Sequence, residues 1–144
     1  MLYLASDHGG YQLKEKLKKQ LGKANISFVD LGAKTVKPDD DYPIITKQLA
    51  EAVAKSSKHQ GILVCRSGTG VCIAANKMKK IRAVAAGDAW TARRGKRDEN
   101  ANVLCLGSEH PNAAQSWSIV QAWLKQAFRN STRDKRRLIQ ISTL

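Results

Sequence analysis

The chain has 144 residues, 42% hydrophobic and 26% charged, with 10 glycines and 3 prolines. That size and balance belong to one globular domain, and they exclude a disordered, fibrous or two-domain protein. Lys and Arg number 25 against 12 acids, for a net charge of +13, which points to an anionic substrate or a polyanionic partner without choosing between them.

In chain order, short apolar runs alternate with amphipathic stretches, the rhythm of βαβ units around a parallel sheet. Leu2 to Ala5 reads as the first strand. It is too short and lacks the basic flank for a secretory signal, and no apolar run approaches the ~20 residues of a membrane span, so no membrane association and a cytoplasmic address are expected. Ser6-Asp7-His8-Gly9-Gly10 follows. It puts an acid and a proton carrier on one turn, although Asp7 or Ser6 would equally serve as a helix cap. Leu13, Leu17 and Leu21 recur at helical spacing within the lysine-rich stretch 14–23, giving an apolar stripe and a wet face. Ile26 to Val29 is the second strand; residues 31–41, with Gly32, Pro38 and three successive aspartates, form a surface loop that ends in Asp41-Tyr42-Pro43.

A second stripe, Ile45, Leu49 and Val53, precedes the third strand, Gly61 to Cys65, and the turn Arg66-Ser67-Gly68-Thr69-Gly70. Arg82 to Ala86 and Val103 to Leu106 are the fourth and fifth strands, followed by Gly87-Asp88 and Gly107-Ser108-Glu109-His110. The last stripe is Trp117, Val120 and Leu124, with Trp123 and Phe128 beside it and Pro111 near the helix start. After Phe128 the tail turns basic and weakly helical, and residues 129–144 are expected to pack on something, such as a second copy.

Ligands of open parallel sheets sit outside the carboxyl ends of the strands, so function belongs to the four segments that follow strands. Cys65 ends a strand before a Gly-rich turn that opens a helix, where free backbone amides and the helix dipole favour a thiolate base or nucleophile. The same position also suits the last apolar residue of a buried strand. Cys105 and Cys72 read as packing. The three cysteines make no CxxC or zinc pattern, so reduced thiols are expected; no cofactor is expected. Gly68 and Gly70 allow close backbone approach and an N–H cradle for a phosphate or an oxyanion. A dinucleotide fingerprint would use Gly68, Gly70 and Asp88, but bulky Ile73 stands where its third small residue belongs. The basic clusters Arg93 to Arg97 and Arg133 to Arg137 also admit nucleic-acid binding through phosphate contacts, although no aromatic alternates with them to stack bases.

Taken together, SDHGG, DYP, GILVCRSGTGVCIAANK and NANVLCLGS, in order and at nearly constant spacing from Leu2 to about Leu138, resemble the type B ribose-5-phosphate isomerases and their relatives, the galactose-6-phosphate isomerase subunits. The resemblance implies a three-layer, Rossmann-like α/β/α sandwich on a five-stranded parallel sheet, and a homodimer with sites built from both subunits. It also implies metal-free interconversion of an aldose phosphate and a ketose phosphate. Cys65 then matches the proton-shuttling base and Ser67 a hydroxyl beside it. Arg66, Gly68, Thr69 and Gly70 belong to the loop whose amides stabilise the enediolate. Asp7 matches the acid that handles oxygen protons, and Tyr42 lines the pocket. His8, Arg133 and Arg137 match phosphate contacts, and Asn100 a substrate contact.

Three positions depart from the family pattern. The histidine linked with ring opening is Asp98 here, within Asp98-Glu99-Asn100, and as a carboxylate that can still move protons Asp98 is a catalytic candidate for the same step. An arginine usual after the fifth strand is Glu109, and the histidine after Arg133 is Asp134. Arg66 stands where the family most often has glycine, and it could compensate such acids. Alternative readings are an isomerase for another sugar phosphate, including one already linear, and a binder that does not turn its ligand over.

Overall fold

The computed structural model describes residues 1–144. Its elements are β1 (Leu2–Ser6), α1 (Tyr11–Lys23), β2 (Phe28–Asp30), α2 (Tyr42–Ala54), β3 (Gln60–Cys65) and α3 (Thr69–Asn76). They continue with β4 (Ala83–Ala85), α4 (Ala89–Glu99), β5 (Val103–Gly107), α5 (Ser116–Lys125) and α6 (Thr132–Ser142). Short 3-10 turns at His8–Gly10 and Ala113–Gln115 lead into α1 and α5.

All five strands are parallel, in the order β2-β1-β3-β5-β4. The chain winds one way from β1 and the other way from β3, so right-handed crossovers place helices on both faces. Period-two alternation then sorts the core into two clusters. Leu2, Leu4, Ile62, Val64, Leu104 and Leu106 pack on Leu17 and Leu21 of α1, Ala92 of α4, and Ile119, Val120 and Trp123 of α5. On the other face, Ala5, Leu63, Cys65, Val103 and Cys105 pack on Leu49, Ala50 and Val53 of α2 and on Val71 and Ala75 of α3. The result is the expected α/β/α sandwich, and no helix is long and apolar enough to cross a membrane.

Several local expectations are corrected. Ile26 is not in β2: its N–H bonds to Leu21 O, and Asn25 takes a left-handed φ of 54°, so both close α1. Arg82 is not in β4, because its N–H donates to Asn102 Oδ1 at 2.8 Å, off the ladder. Lys14 does not lie on the wet face of α1 but is fully buried, with Nζ on Asp30 Oδ2 at 2.6 Å and on Ala33 O at 3.3 Å. That pair ties the start of the 31–41 loop to α1. In α5 the buried stripe is Ser116, Ile119, Val120 and Trp123, while Trp117 and Leu124 only flank it.

Trp123 is the largest fully buried side chain, and the Lys96 ammonium lies 4.6 Å from its ring centroid. Burial pushes Lys96 down to about 8, because desolvation disfavours its charged form. Trp123→Ala is expected to cost about 3–5 kcal/mol in urea unfolding, and Leu124→Ala clearly less; equal losses would restore the 117/120/124 stripe as the core face.

Candidate active site

The strand order reverses between β1 and β3, so the crevice at their carboxyl ends is the switch point where such sheets bind ligands. Three turns meet there at backbone distance. A Cβ on Gly10 would run into the Val64 carbonyl, so only glycine lets the turn after β1 approach β3. Ser108 N–H donates to Cys65 O at 2.8 Å and Glu109 N–H to Arg66 O at 2.9 Å, joining the turn after β5 to that after β3.

Cys65 is the last residue of β3, 5% exposed, facing α2 and α3. Its Sγ accepts the Gly68 N–H at 3.1 Å. Gly68 makes this bond by adopting φ 78°, a left-handed conformation, at the N-cap of α3. The first amides of a helix have no acceptor inside it; here the Gly68 amide meets a sulfur and that of Thr69 meets Ser67 Oγ at 3.2 Å. The Tyr42 ring lies over Gly70, where a Cβ would come within 2.8 Å of it.

Asp7 caps the turn that precedes α1, its Oδ1 accepting the Gly10 N–H at 2.9 Å. His8 is gripped twice by Asp40, whose Oδ1 takes its backbone N–H at 2.9 Å and meets its Nδ1 at 2.6 Å. The hydrogen bond to Asp40 raises the His8 pKa above its ordinary 6.5, against a smaller opposing effect of desolvation. Arg66 passes over Gly9 and pairs with Glu109 at 2.8 Å, so the two charges neutralise each other.

The structure thus brings together Asp7, His8, Tyr42, Cys65, Arg66, Ser67, Gly68, Thr69 and Gly70. It does not bring Asp98, Asn100, Arg133 or Arg137 to them within one chain. Helix α4 runs back from the carboxyl edge of the sheet, so Asp98 and Asn100, its C-cap, lie at the amino edge. At about 3.3 Å per strand residue the two edges are some 15 Å apart. Helix α6 joins that far edge through Arg129, whose N–H donates to Arg97 O at 2.9 Å and whose guanidinium reaches Asp98 and Asp134. Asp98 is held by Arg94 at 2.9 Å. Cys65 lines neither of two surface clefts, one of about 640 Å³ between α1 and the start of α5, with Lys16, Lys19, Lys23 and Trp117, and one of about 380 Å³ around Asp39, Asp40, Asp41 and Ile44.

Nothing local in the sequence marks Asp40 or Arg129. Asp40 is one of three identical neighbours, and Arg129 is an isolated residue in a basic tail. Cys105 is buried and inert, its thiol pushed up beside Cys72; Cys72 packs half-buried, its thiol lowered to about 7, chiefly by a hydrogen bond with Cys105. Ile73 is not what excludes a dinucleotide fingerprint. Ile73 is 61% exposed, so its bulk does not disturb the sheet; instead β5 separates β3 from β4, and Asp88 at the end of β4 caps α4 through Thr91 N–H at 2.7 Å. The basic cluster of α4 is internally engaged, with Lys96 buried and Arg94 and Arg97 beside Asp98. No group of three or more His, Cys, Asp and Glu side chains converges as a metal site would.

A family model described as ribose/galactose isomerase matches residues 2–141. A probable ribose-5-phosphate isomerase B of Mycoplasma pneumoniae is 38% identical over 135 residues, covering 94% of this chain and 89% of the relative. D-erythrulose-4-phosphate isomerase 2 of Mycolicibacterium smegmatis is 35% identical over 129 residues, 88% of this chain and 85% of its own. The crystal structure of ribose-5-phosphate isomerase B from Mycoplasma genitalium with bound ribulose-5-phosphate superposes at a TM-score of 0.93 with 37% identity, covering 99% of this chain and 93% of that one. With the Cys65 turn, the Asp7-His8 turn and the strand order already in place, these matches along nearly the whole length mean that the chain belongs to the ribose/galactose isomerase family.

Proposed function

We propose that this protein is an aldose-ketose isomerase acting on ribose 5-phosphate and ribulose 5-phosphate, with Cys65 as the base. The observation that carries the reading is the Gly68 N–H on Cys65 Sγ at 3.1 Å, which sets the sulfur among the amides that open α3. The thiolate takes the proton from C2 of the open-chain aldose; the electron pair moves into an enediolate whose charge sits on O1. The freed thiol returns the proton to C1, while a hydroxyl proton passes from O2 to O1 and the carbonyl appears at C2. Asp7, with Oδ1 on Gly10 and Oδ2 left for substrate, serves the oxygen protons. Ser67 and the amides around Gly70 face the developing charge, where one such donor contributes about 3 kcal/mol. Tyr42 walls the pocket, and His8 and Arg66 meet the phosphate.

Asp98, Asn100, Arg133 and Arg137 complete the site from a second copy of the chain, which we infer to be a homodimer or a larger homo-oligomer. Exposed apolar side chains at Ile44, Ile73, Trp90, Ile139 and Ile141 support an interface. The whole chain acts as one domain, and residues 129–144 are the part that reaches the partner. The free state of all three cysteines fits a cytoplasmic address. A second reading is favoured by one observation. Asp98 is tied to Arg94 and Arg129 rather than free to open a sugar ring, and a tetrose 4-phosphate, with O4 esterified, needs no ring opening. Assaying pentose and tetrose phosphates side by side separates the two substrates.

Cys65→Ala should lower turnover by ~10²-fold or more with the far-UV spectrum unchanged, whereas Cys105→Ala should lower Tm and keep turnover. Near-normal turnover in Cys65→Ala would remove the thiol from the mechanism. Mixing Cys65→Ala with Arg137→Ala subunits should create one intact site per mixed dimer and raise activity at low substrate above that of either variant alone, and failure to do so after verified subunit exchange contradicts a shared site.

His8 has a raised proton affinity, so its cationic form is present below the ordinary 6.5 and persists above it; phosphate binding should weaken as pH rises through the raised value. In Asp40→Asn that weakening, read from KM against pH, should shift to lower pH. An unshifted profile would show that His8 does not meet the phosphate.

A further inference from the structure

Helix α6 is held to its own chain by charge rather than by an apolar face. Of Thr132–Ser142 only Asp134 is buried, while Ile139, Ile141 and Leu144 beyond it are exposed. Its packing within the chain is on α4. The anchor is a clasp centred on Arg129. Nε meets Asp134 Oδ2 and Nη2 meets Asp134 Oδ1, each at 2.7 Å, and Nη2 also lies 3.3 Å from Asp98 Oδ1. Arg94 holds the other oxygen of Asp98 at 2.9 Å. The backbone is shaped to suit. Asn130 turns at a left-handed φ of 57°, Ser131 caps α6 through the Asp134 N–H, and the Arg129 N–H grips Arg97 O.

We propose that Arg129 is a positioning residue for the substrate phosphate: by saturating Asp134 and fastening α6 to α4, it keeps Arg133 and Arg137 free and correctly placed for the phosphate in the partner's site. The inference rests on the reading of Arg133 and Arg137 as phosphate ligands. Its mechanism is a competition. Arg133 Nε already lies 3.6 Å from Asp134 Oδ1, with a side chain half exposed, while Asp134 is almost wholly buried. A buried carboxylate that loses its partner must find another cation or be expelled. Without Arg129 the nearest cation is Arg133, which would fold back onto Asp134 and leave the phosphate. A lysine at 129 carries the charge but not the two-pronged fork, so it can engage only one of the oxygens that arginine binds together.

The test compares Arg129→Met, Arg129→Lys and Arg137→Ala in the full-length protein, reading kcat, KM for the sugar phosphate, Ki for inorganic phosphate and hydrogen exchange across residues 132–142. In Arg129→Met, KM and Ki should rise together by about tenfold with kcat within about twofold, as loss of binding without loss of chemistry requires. Exchange in α6 should accelerate, and Arg129→Lys should recover little of the phosphate affinity. If Arg137→Ala leaves KM and Ki unchanged, the phosphate reading itself fails. If Arg137→Ala raises both while the Arg129 variants lower Tm alone, the clasp is merely structural and the positioning role is overturned. Should Arg129→Met not fold, the Ki of Arg129→Lys carries the comparison, and a wild-type value counts against the proposal.

Discussion

The site depends on a turn that takes the chain from β3 into α3 within three residues. Cys65 ends the strand, Thr69 begins the helix, and the left-handed Gly68 between them aims its amide at the sulfur. A side chain at 68 would be strained by the backbone angle and would also press on the Leu106 carbonyl carbon at 2.9 Å. The same geometry therefore orders the sheet end, starts the helix and places a hydrogen-bond donor on the Cys65 sulfur.

The parallel topology has a second consequence. Each α-helix that follows a strand returns to the opposite edge, so residues late in α4 lie far from the turns that open helices. Asp7, His8 and Cys65 gather at one edge, Asp98, Asn100 and Arg133 at the other. Within one chain the two groups stay about one strand length apart. The ion pairs respect that division. Glu109 pairs with Arg66 at the carboxyl edge, and Asp98 and Asp134 share Arg129 at the amino edge. Each of these acids meets an arginine on its own side of the sheet.

Much of the fold was legible from periodicity. β1, β3 and β5 are covered on both faces and read as continuous apolar runs. β2 and β4 are three-residue edge strands, where a single capping bond at Ile26 or Arg82 moves the boundary. The orientation of α5 was misread because Trp117 and Trp123 are equally apolar in sequence, and only packing shows which is buried. Of the site, Asp7, Cys65 and the glycines were visible because glycine and strand-end position carry a direct backbone meaning. The partners that tune them were not. Asp40, Arg129 and the buried role of Lys14 depend on contacts between residues distant in sequence, and a cation in a basic stretch looks the same whether solvated or locked to an acid.

We assign the proton transfer between neighbouring carbons of the sugar phosphate to the Cys65 sulfur. The most direct measurement is proton NMR of ribose 5-phosphate incubated with the enzyme in D2O. Wild-type protein should wash solvent deuterium into the C2 position of the aldose and the C1 position of the ketose, and Cys65→Ser, which keeps the shape but not the acidity of the thiol, should not. Deuterium entering at the wild-type rate in Cys65→Ser, or product forming in the wild type by hydride movement with no solvent label at all, would contradict the account.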